Sequence, residues 1–405
     1  MEYNVLIIGS DANAYYMARC YHELFKEKAY VLAKSPLPYT KYSNIINIIY
    51  DDTIWSEEFF LKAIYKFKEE HGNKLTLLIS TNETYCYFIS LNRVKLKKDG
   101  FVFNYAESDI LKSLIMKEDF YKKYQNSCIT IPKTFYFDCI KDEEFNEKMT
   151  YPVILKPSNV IMYNHLIFNG KNKIYKLDTK EELIKTINKI KNSGYTDTLI
   201  IQDFIPGDDS YLFDAVAYVD ENHKVKLLTL AQIGLQEHTT NMVGNAAVLI
   251  NGYNQFGGTK EIEKQMKRFL EDIKFQGFCE FDLKYDYRDK KFKVLEINAR
   301  QGRSSYYMSA IGHNLVGVLI DDLIYKKKME YQFLDDKVLL SFVPKGVVKK
   351  YLVNDEYKKE VLKLWHKRVN PIAYKKDLNF KRVLYLIKKH FRYYKEYKNS
   401  YWRAS

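Results

Sequence analysis

The first hundred residues alternate short apolar runs with helical patterns, and this alternation constrains the fold more than any other feature. Four apolar runs have the length of buried strands: residues 5–8, 30–33, 45–49 and 75–79. Residues 55–70, between the last two runs, have the spacing of a helix. Strands that alternate with helices form a parallel sheet with helices on its faces. We therefore predict an α/β chain that begins with a Rossmann-like domain over residues 1–110.

The first strand ends in Gly9-Ser10-Asp11, where a helix is predicted to begin. A helix that starts at the carboxyl edge of a parallel sheet directs backbone N–H groups and a positive dipole end towards a usual ligand position. Ser10 and Asp11 are therefore either helix caps or substrate contacts. This turn lacks a full G-x-G-x-x-G motif, so the sequence does not indicate dinucleotide binding.

The net charge of +13 is concentrated at the C-terminal end of the chain. Residues 345–405 contain 18 Lys and Arg against 5 Asp and Glu, whereas residues 1–344 contain 46 of each kind. We expect this end to meet an anionic partner or surface, and we do not expect the protein as a whole to bind nucleic acid.

The five cysteines are scattered, odd in number and without a C-x-x-C pair. This distribution argues against a disulfide framework or a structural zinc site and favours a reducing compartment. The N-terminal residues lack the basic segment of a signal peptide, and no stretch is apolar over the roughly 18 residues that a membrane span needs. We therefore expect a cytoplasmic protein.

Further along the chain, a β-hairpin brings two carboxylates together. The later predicted elements are a helix over residues 108–124, a strand over 152–157, a strand that runs into a turn over 199–207 and a hairpin over 278–300. If the hairpin is symmetric about Asp289, Asp282 lies opposite Glu296 with Cβ atoms roughly 4.5–5.5 Å apart, and both need a cation between them. By the period of two, Asn298 and Arg300 lie on the same face as Glu296. Such oxygen ligands suit Mg²⁺ that also binds phosphate. The alternative interpretation is a solvated, charged hairpin face.

The order of these motifs resembles that of the ATP-grasp carboxylate–amine ligases, and within them the bacterial D-aspartate ligases of peptidoglycan cross-bridge synthesis. The segments that carry the resemblance run nearly from end to end: residues 9–11, 17–19, 153–157, 202–210, 281–284 and 295–305. The resemblance implies a two-lobed ATP-grasp domain over residues 111–335, with lobes at about 111–198 and 199–335. A basic helical segment over residues 336–405 would follow it.

The resemblance also implies roles for individual residues. One or two Mg²⁺ ions, with Mn²⁺ as the alternative metal, would be held by Asp282, Glu296 and Asn298. The phosphates of ATP would be contacted by Lys117 and Lys156. Charge on the transferred phosphoryl group would be neutralised by Arg300. The adenine and ribose would be contacted by Gln202, Asp203, Phe204, Ile205 and Asp209.

Two loops depart from the family pattern. Many ATP-grasp enzymes place a glycine-rich loop after the first lysine, but residues 158–165 contain no glycine, so the lid over the phosphates must be built differently. Residues 236–245, where selectivity is expected to be set, do not match the D-aspartate ligases. His238 in that loop is either a general base for the attacking amine or a polar surface residue. Gly302 is followed by Arg303, Ser304 and Ser305. These residues either bind a carboxylate or phosphate group, or they cap a helix.

The basic C-terminal segment contains a helical stripe. Apolar residues recur at helical spacing at Phe380, Val383, Leu384, Ile387, Phe391 and Tyr394. In one interpretation the helix packs on the body and leaves a solvated cationic face. In the other the helix docks on anionic lipid at the inner membrane surface. RNA binding has no supporting motif.

The implied function is ATP-dependent amide-bond formation. ATP would phosphorylate a small amino-acid carboxylate, by resemblance that of D-aspartate, and an amine would then attack the acyl phosphate, with release of ADP and phosphate. By resemblance the amine is the lysine side chain of a UDP-MurNAc-pentapeptide precursor of peptidoglycan. Two alternatives stay open: a related ligase with another amino acid or acceptor, and a non-catalytic nucleotide-binding scaffold associated with the membrane.

Overall fold

The computed structural model describes residues 2–238, 242 and 244–400, and these residues form three sheets. Residues 239–241 and 243 of the predicted selectivity loop, and residues 401–405 of the basic end, lie outside the described residues. The predicted mixed α/β fold is confirmed. None of the helices in the described part combines the length and apolarity that a membrane span requires.

The first sheet is parallel, with the strand order β3-β2-β1-β4-β5. Its strands are β1 (Tyr3–Ile8), β2 (Ala29–Ala33), β3 (Ile46–Tyr50), β4 (Leu75–Ser80) and β5 (Phe101–Val102). The helices between them are α1 (Ala12–Phe25), α2 (Pro38–Lys41), α3 (Glu57–Glu70), α4 (Glu83–Leu91) and α5 (Arg93–Lys98). The central strands have continuous apolar runs because helices cover both faces of a parallel sheet.

Two short helices, α6 (Ser108–Ile115) and α7 (Lys117–Tyr124), replace the single helix predicted over residues 108–124. The break is at Met116, whose backbone is extended (φ −81°, ψ 110°) although neither proline nor glycine is present there. An extended residue between two helices redirects the chain, and it places Lys117 at the start of α7.

The second sheet has four strands in the order β6-β9-β7-β8, and all neighbours are antiparallel. Its elements are β6 (Thr134–Asp138), β7 (Val153–Pro157), α8 (Val160–His165), β8 (Tyr175–Leu177), α9 (Lys180–Asn192) and β9 (Thr198–Asp203). The helix α8, capped by Asn159 Oδ1 on Met162 N, occupies the position where a glycine-rich loop is usual in the family.

The third sheet has eight strands, six of them in the order β15-β14-β10-β12-β13-β17. A 3₁₀ turn at Asp209–Tyr211 leads into the first of its strands. The elements of this part of the chain are β10 (Leu212–Val219), β11 (Val225–Thr229), β12 (Ala231–Gln236), β13 (Ala246–Asn251), α10 (Thr259–Asp272), β14 (Gly277–Asp286), β15 (Lys291–Asn298), α11 (Tyr306–Ala310), α12 (Leu315–Leu323), β16 (Gln332–Leu334) and β17 (Val338–Ser341). Strand β17 pairs with β13, so this sheet extends past residue 335. The domain boundaries at residues 110, 198 and 335 stay a prediction.

The C-terminal segment is helical: α13 (Lys345–Tyr351), α14 (Asp355–Leu364), 3₁₀ turns at Trp365–Lys367 and Lys375–Asp377, and α15 (Phe380–Ser400). Helix α15 packs on the body, but its predicted apolar stripe does not face inward. All six residues of the stripe are exposed. The inner face instead contains Arg382, Tyr393 and Tyr397, which are buried and hydrogen-bonded to Ile372, Glu237 and Gln236 of the body. The helix therefore packs on the body, as one of the two interpretations expects, but through a face that hydropathy does not indicate.

Candidate active site

Two adjoining cavities meet at the β14–β15 hairpin. The apolar cavity, of about 290 Å³, is bordered by β7, β9 and the hairpin. The polar cavity, of about 480 Å³, reaches the N-terminal end of α1. The residues that line both are Lys173, Gly244, Asp282 and Glu296. A ligand in one cavity can therefore meet a ligand in the other beside the two carboxylates of the hairpin.

The hairpin places Asp282 opposite Glu296, as its symmetry predicts. The turn occupies residues 287–290, so the outer pairs of the hairpin are one residue out of the register predicted from a centre at Asp289. A bulge at Leu295 adds one residue to β15 and brings the inner pairs back into the predicted register. The predicted pair is confirmed, but it depends on a bulge that the prediction did not include.

The crowded carboxylates of this hairpin form a candidate metal site. Burial, followed by the charges of Glu280 and Glu296, raises the pKa of Asp282 well above its usual range. Asn298 Nδ2 donates to Asp282 Oδ2 at 3.2 Å, and a rotated amide would present its oxygen to the same space. Two carboxylates and an amide oxygen fit Mg²⁺, which keeps water and substrate phosphates as further ligands. Among the described residues no three His, Cys, Asp or Glu side chains already form a complete metal site.

Two partly buried lysines face this hairpin across the apolar cavity. Lys117 Nζ lies 2.6 Å from Glu296 Oε2. Although burial opposes the charge of Glu296, this ion pair lowers its pKa to about 2. Lys156 Nζ donates to Tyr121 Oη at 2.8 Å, and burial together with the charge of Lys117 lowers the pKa of Lys156 to about 7. Within the described part of the chain no carboxylate forms an ion pair with Lys156. An added anion would therefore stabilise the ammonium form of this side chain.

The far end of the apolar cavity is formed by the end of β9 and the turn after it. Gln202 Nε2 donates to Thr134 Oγ1 at 2.8 Å, so its side chain is held by β6. Gln202, Asp203, Phe204 and Ile205 all line the cavity. Backbone groups and apolar walls at one end, with lysines at the other, suit a flat ring that carries phosphates.

Asp209 and His238 lie side by side on this cavity. Both Asp209 oxygens accept hydrogen bonds from Gln236, from the backbone N at 2.9 Å and from Nε2 at 2.7 Å. His238 Nε2 is 3.7 Å from Asp209 Oδ2, and the ring of His238 packs against Tyr397 of α15. His238 is therefore buried, which contradicts its interpretation as a surface residue.

The polar cavity contains a second acidic pair. Asp214, on β10, is opposite Asp282 on β14, and Glu280 lies on the same face of β14. Ser304 Oγ lies between the two acids and contacts Asp214 Oδ2 and Glu280 Oε1. Burial and the charge of Glu280 raise the pKa of Asp214 well above its usual range. This wall of the cavity favours a cation.

Arginines lie on the same cavity. Arg300 NH1 donates to the carbonyl oxygen of Gln301 at 3.0 Å, and its NH2 is 3.7 Å from Glu83 Oε1. Arg303 is buried in an ion pair with Glu237 and lies 3.9 Å above the ring of Phe342. Arg300 is only weakly engaged, so it can contact an anion in the cavity, whereas Arg303 is held by its neighbours.

Comparison with known proteins identifies the family. No protein-family model matches the sequence. A D-aspartate ligase of Enterococcus faecium is 32% identical over 397 residues, which cover 95% of this chain and 93% of that enzyme. The chain belongs to the D-aspartate ligase family. It is an ATP-dependent ligase that forms amide bonds, as the motifs of its sequence predict.

Solved structures show the same fold. The L-amino acid ligase of Bacillus licheniformis matches with a TM-score of 0.56 at 16% identity, over 79% of this chain and 73% of its own. The N5-carboxyaminoimidazole synthetase of Staphylococcus aureus matches with a TM-score of 0.59 at 14% identity, over 84% and 83%. The biotin carboxylase domain of a Hydrogenobacter thermophilus 2-oxoglutarate carboxylase, solved with MgADP and bicarbonate, gives 0.57 at 14% identity, over 82% and 72%. The ATP-grasp fold of this family member is thus confirmed.

The remaining predicted site residues differ in position. Asp11 lines the polar cavity and also caps α1, because its Oδ1 accepts from Asn13 N at 3.0 Å and Ala14 N at 3.1 Å. Ser10 does not border either cavity. Ser305 Oγ accepts from Gly302 N at 2.8 Å and is buried away from both. The roles assigned to these residues stay predictions.

Several cavity residues are missing from the sequence-based prediction. Glu280 and Lys284 flank Asp282 at a spacing of two, so the periodicity that selects Asn298 and Arg300 would also select them. Lys284 Nζ donates to the carbonyl oxygen of Gly207 at 2.8 Å, and burial lowers the pKa of Lys284 to about 8. Lys173 belongs to the loop after α8, and no local pattern distinguishes it from its lysine neighbours.

Proposed function

We propose that the enzyme phosphorylates a carboxylate of D-aspartate with ATP and joins it to the lysine side-chain amine of a UDP-MurNAc-pentapeptide. The observation that carries this proposal is the junction of the two cavities at Asp282 and Glu296. A phosphoryl group bound from one side and a carboxylate bound from the other can meet there. The E. faecium relative, a D-aspartate ligase by name, supports the choice of amino acid.

The apolar cavity is proposed to bind ATP. The backbone of residues 202–205 would contact the adenine edge, and Asp209 would contact the ribose. Lys117 and Lys156 would neutralise the phosphates, and Lys173 would add a cation from the loop after α8. In place of a glycine-rich lid, this loop would close over the phosphates. Excluding water there protects an acyl phosphate from hydrolysis.

Mg²⁺ is the proposed metal, and Asp282, Glu296 and Asn298 would hold it. The bound metal would neutralise developing charge on the phosphates, as in other phosphoryl transfers. Lys117 competes with the metal for Glu296 in the free protein, since their ion pair is 2.6 Å long. Binding of phosphates would give Lys117 a second anionic partner and free the carboxylate.

The polar cavity is proposed to bind the amino acid. Its ammonium group would face Asp214 and Glu280, and a carboxylate would face Arg300. The carboxylate oxygen attacks the terminal phosphorus of ATP, and ADP leaves. The amine nitrogen of the acceptor then attacks the acyl carbon, phosphate leaves, and the nitrogen gives up a proton. His238 lines the apolar cavity instead, which supports a role beside the nucleotide more than one as the base.

The proposal is tested by ADP and phosphate release with Mg-ATP, each D- and L-amino acid in turn, and UDP-MurNAc-pentapeptide present or absent. Release confined to D-aspartate and dependent on the acceptor is the expected result. Release with another amino acid would overturn the substrate and shift attention to residues 236–245. No release with any donor would overturn UDP-MurNAc-pentapeptide as the acceptor and point to another amine. Glu296→Ala should abolish release, whereas Glu181→Ala, on the exposed side of α9, should not.

We also infer a reducing compartment for the protein. All five cysteines are free thiols, and four of them are buried: Cys20, Cys86, Cys139 and Cys279. Burial raises the pKa of these thiols and keeps them inert, so they need no oxidising environment.

A further inference from the structure

Helix α15 exposes an apolar ridge along its outer face. Phe380, Leu384, Ile387 and Phe391 recur at intervals of four, three and four residues, so they lie on one side of the helix. Their exposed fractions are 83%, 42%, 49% and 67%. A continuous row of exposed large apolar side chains is unusual on a monomer and marks an interaction surface.

The inner face of α15 fixes this orientation. Arg382 is fully buried, and its Nε lies 3.2 Å from Asp377 Oδ2. It donates to the carbonyl oxygens of Tyr39 and Ile372, each at 2.8 Å, and lies 3.7 Å above the ring of Tyr15. A rotation that hid the ridge would expose this buried guanidinium and break its bonds. The ridge must therefore face outward in the folded protein.

Basic side chains border the ridge. Helix α15 contains seven Lys and Arg residues and one Glu. Lys381, Lys388 and Lys395 are exposed and follow one another at intervals of seven, so they form a parallel row beside the apolar one. An apolar row flanked by a cationic row is the pattern of a helix that lies in the interface of an anionic membrane.

We propose that the outer face of α15 docks on a membrane surface that contains anionic lipid. Phe380, Leu384, Ile387 and Phe391 would enter the boundary between headgroups and acyl chains, and the lysine row would contact lipid phosphates. A second copy of the chain is a poorer occupant, because pairing two such faces would bring two cationic rows together. This proposal goes beyond the catalytic function and does not depend on it.

The test is co-sedimentation of the full-length protein with vesicles. One set contains phosphatidylcholine alone, and the other contains phosphatidylcholine with roughly 30% of the anionic lipid phosphatidylglycerol. Binding to the anionic set, weakened by added salt, is the expected result. Failure to bind the anionic vesicles, or equal binding to both sets, would overturn the proposal.

Two variant pairs separate the contributions of the two rows. Lys388→Gln with Lys395→Gln should weaken partitioning about 30-fold, since each basic residue near such a surface contributes roughly a factor of five. Phe380→Ser with Phe391→Ser should weaken it at least tenfold for each ring removed. Unchanged binding by either pair would overturn the assignment of the face.

Matched controls use exposed residues elsewhere. Val94→Ser removes a side chain that is 83% exposed and stands between Arg93 and Lys95 on α5, and it should leave vesicle binding unchanged. The ridge variants should keep the thermal unfolding midpoint and the ADP release of the wild type, because the ridge contacts neither cavity. A dimer in sedimentation velocity that the Phe391→Ser change dissolves would instead identify a second copy as the occupant and refute the lipid proposal.

Discussion

Replacing Lys156 by methionine is expected to stabilise the free protein while it abolishes activity. The pKa of Lys156 falls from 10.5 to about 7, because burial and the charge of Lys117 disfavour the ammonium form. Complete transfer of that shift into stability corresponds to about 4 kcal/mol at pH 7 and about 2 kcal/mol at pH 9. Because Lys156 borders an open cavity, solvent screens part of the interaction, and we expect about half of those amounts.

The pH dependence distinguishes this cause from improved packing. The unfolded chain holds the proton up to pH 10.5 and the folded chain only up to about pH 7, so the cost is complete below pH 7 and vanishes as the pH approaches 10.5. Thermal unfolding of wild type and Lys156→Met at pH 7, 8 and 9 should show a gain of roughly 2–6 °C at pH 7 that shrinks with rising pH. Lys185→Met, at an exposed position on α9, is the control and should show no gain. A midpoint for Lys156→Met that is unchanged or lower at pH 7, or a gain that grows with pH, would refute the reasoning.

Three further predictions concern the site. Glu296→Ala should eliminate ADP production and leave Lys117 without its carboxylate; turnover by a variant with wild-type circular dichroism would contradict the metal assignment. Removal of divalent metal with EDTA should stop ADP release and excess Mg²⁺ should restore it; activity that persists in EDTA would exclude the proposed metal role. Tyr393→Phe removes a 3.0 Å hydrogen bond to Glu237, the partner of Arg303. The loss of this bond should raise the KM for the amino acid about fivefold with little change in kcat. An unaltered KM would show that the bond does not hold Arg303 in place at the polar cavity.

The fold could be predicted where a local period determines the structure. Strands of the first sheet are continuous apolar runs, and a run of that kind is visible without any knowledge of its neighbours. The break between α6 and α7 has no such signal, because Met116 is an acceptable helix residue and neither proline nor glycine occurs between residues 108 and 124. The inner face of α15 could not be read from hydropathy, since it buries Arg382 and tyrosines that are stabilised by specific partners.

The site could be predicted in part for the same reason. Asp282 and Glu296 belong to one hairpin, so their pairing follows from a local turn, and period two extends the prediction along each strand. Lys173 and Asp214 reach the same place from a loop and from another strand. The position of Lys173 depends on how the second and third sheets pack together, and that of Asp214 depends on the pairing of β10 with β14. The sequence near these residues encodes neither.

Lys156 of the apolar cavity and the acidic pair of the polar cavity, Asp214 and Glu280, do not neutralise one another. Lys156 has no carboxylate partner within the described part of the chain, while Asp214 and Glu280 face each other across Ser304. Pairing these groups would stabilise the free protein, because an unpaired buried charge is costly. Keeping them apart leaves one cavity that attracts phosphates and another whose acidic wall attracts an ammonium group. The acidic wall would also disfavour a phosphate group beside Asp214 and Glu280. With ATP and the amino acid bound as proposed, the separation would sort the two substrates before they meet at Asp282 and Glu296, and the instability predicted for Lys156 would be its consequence.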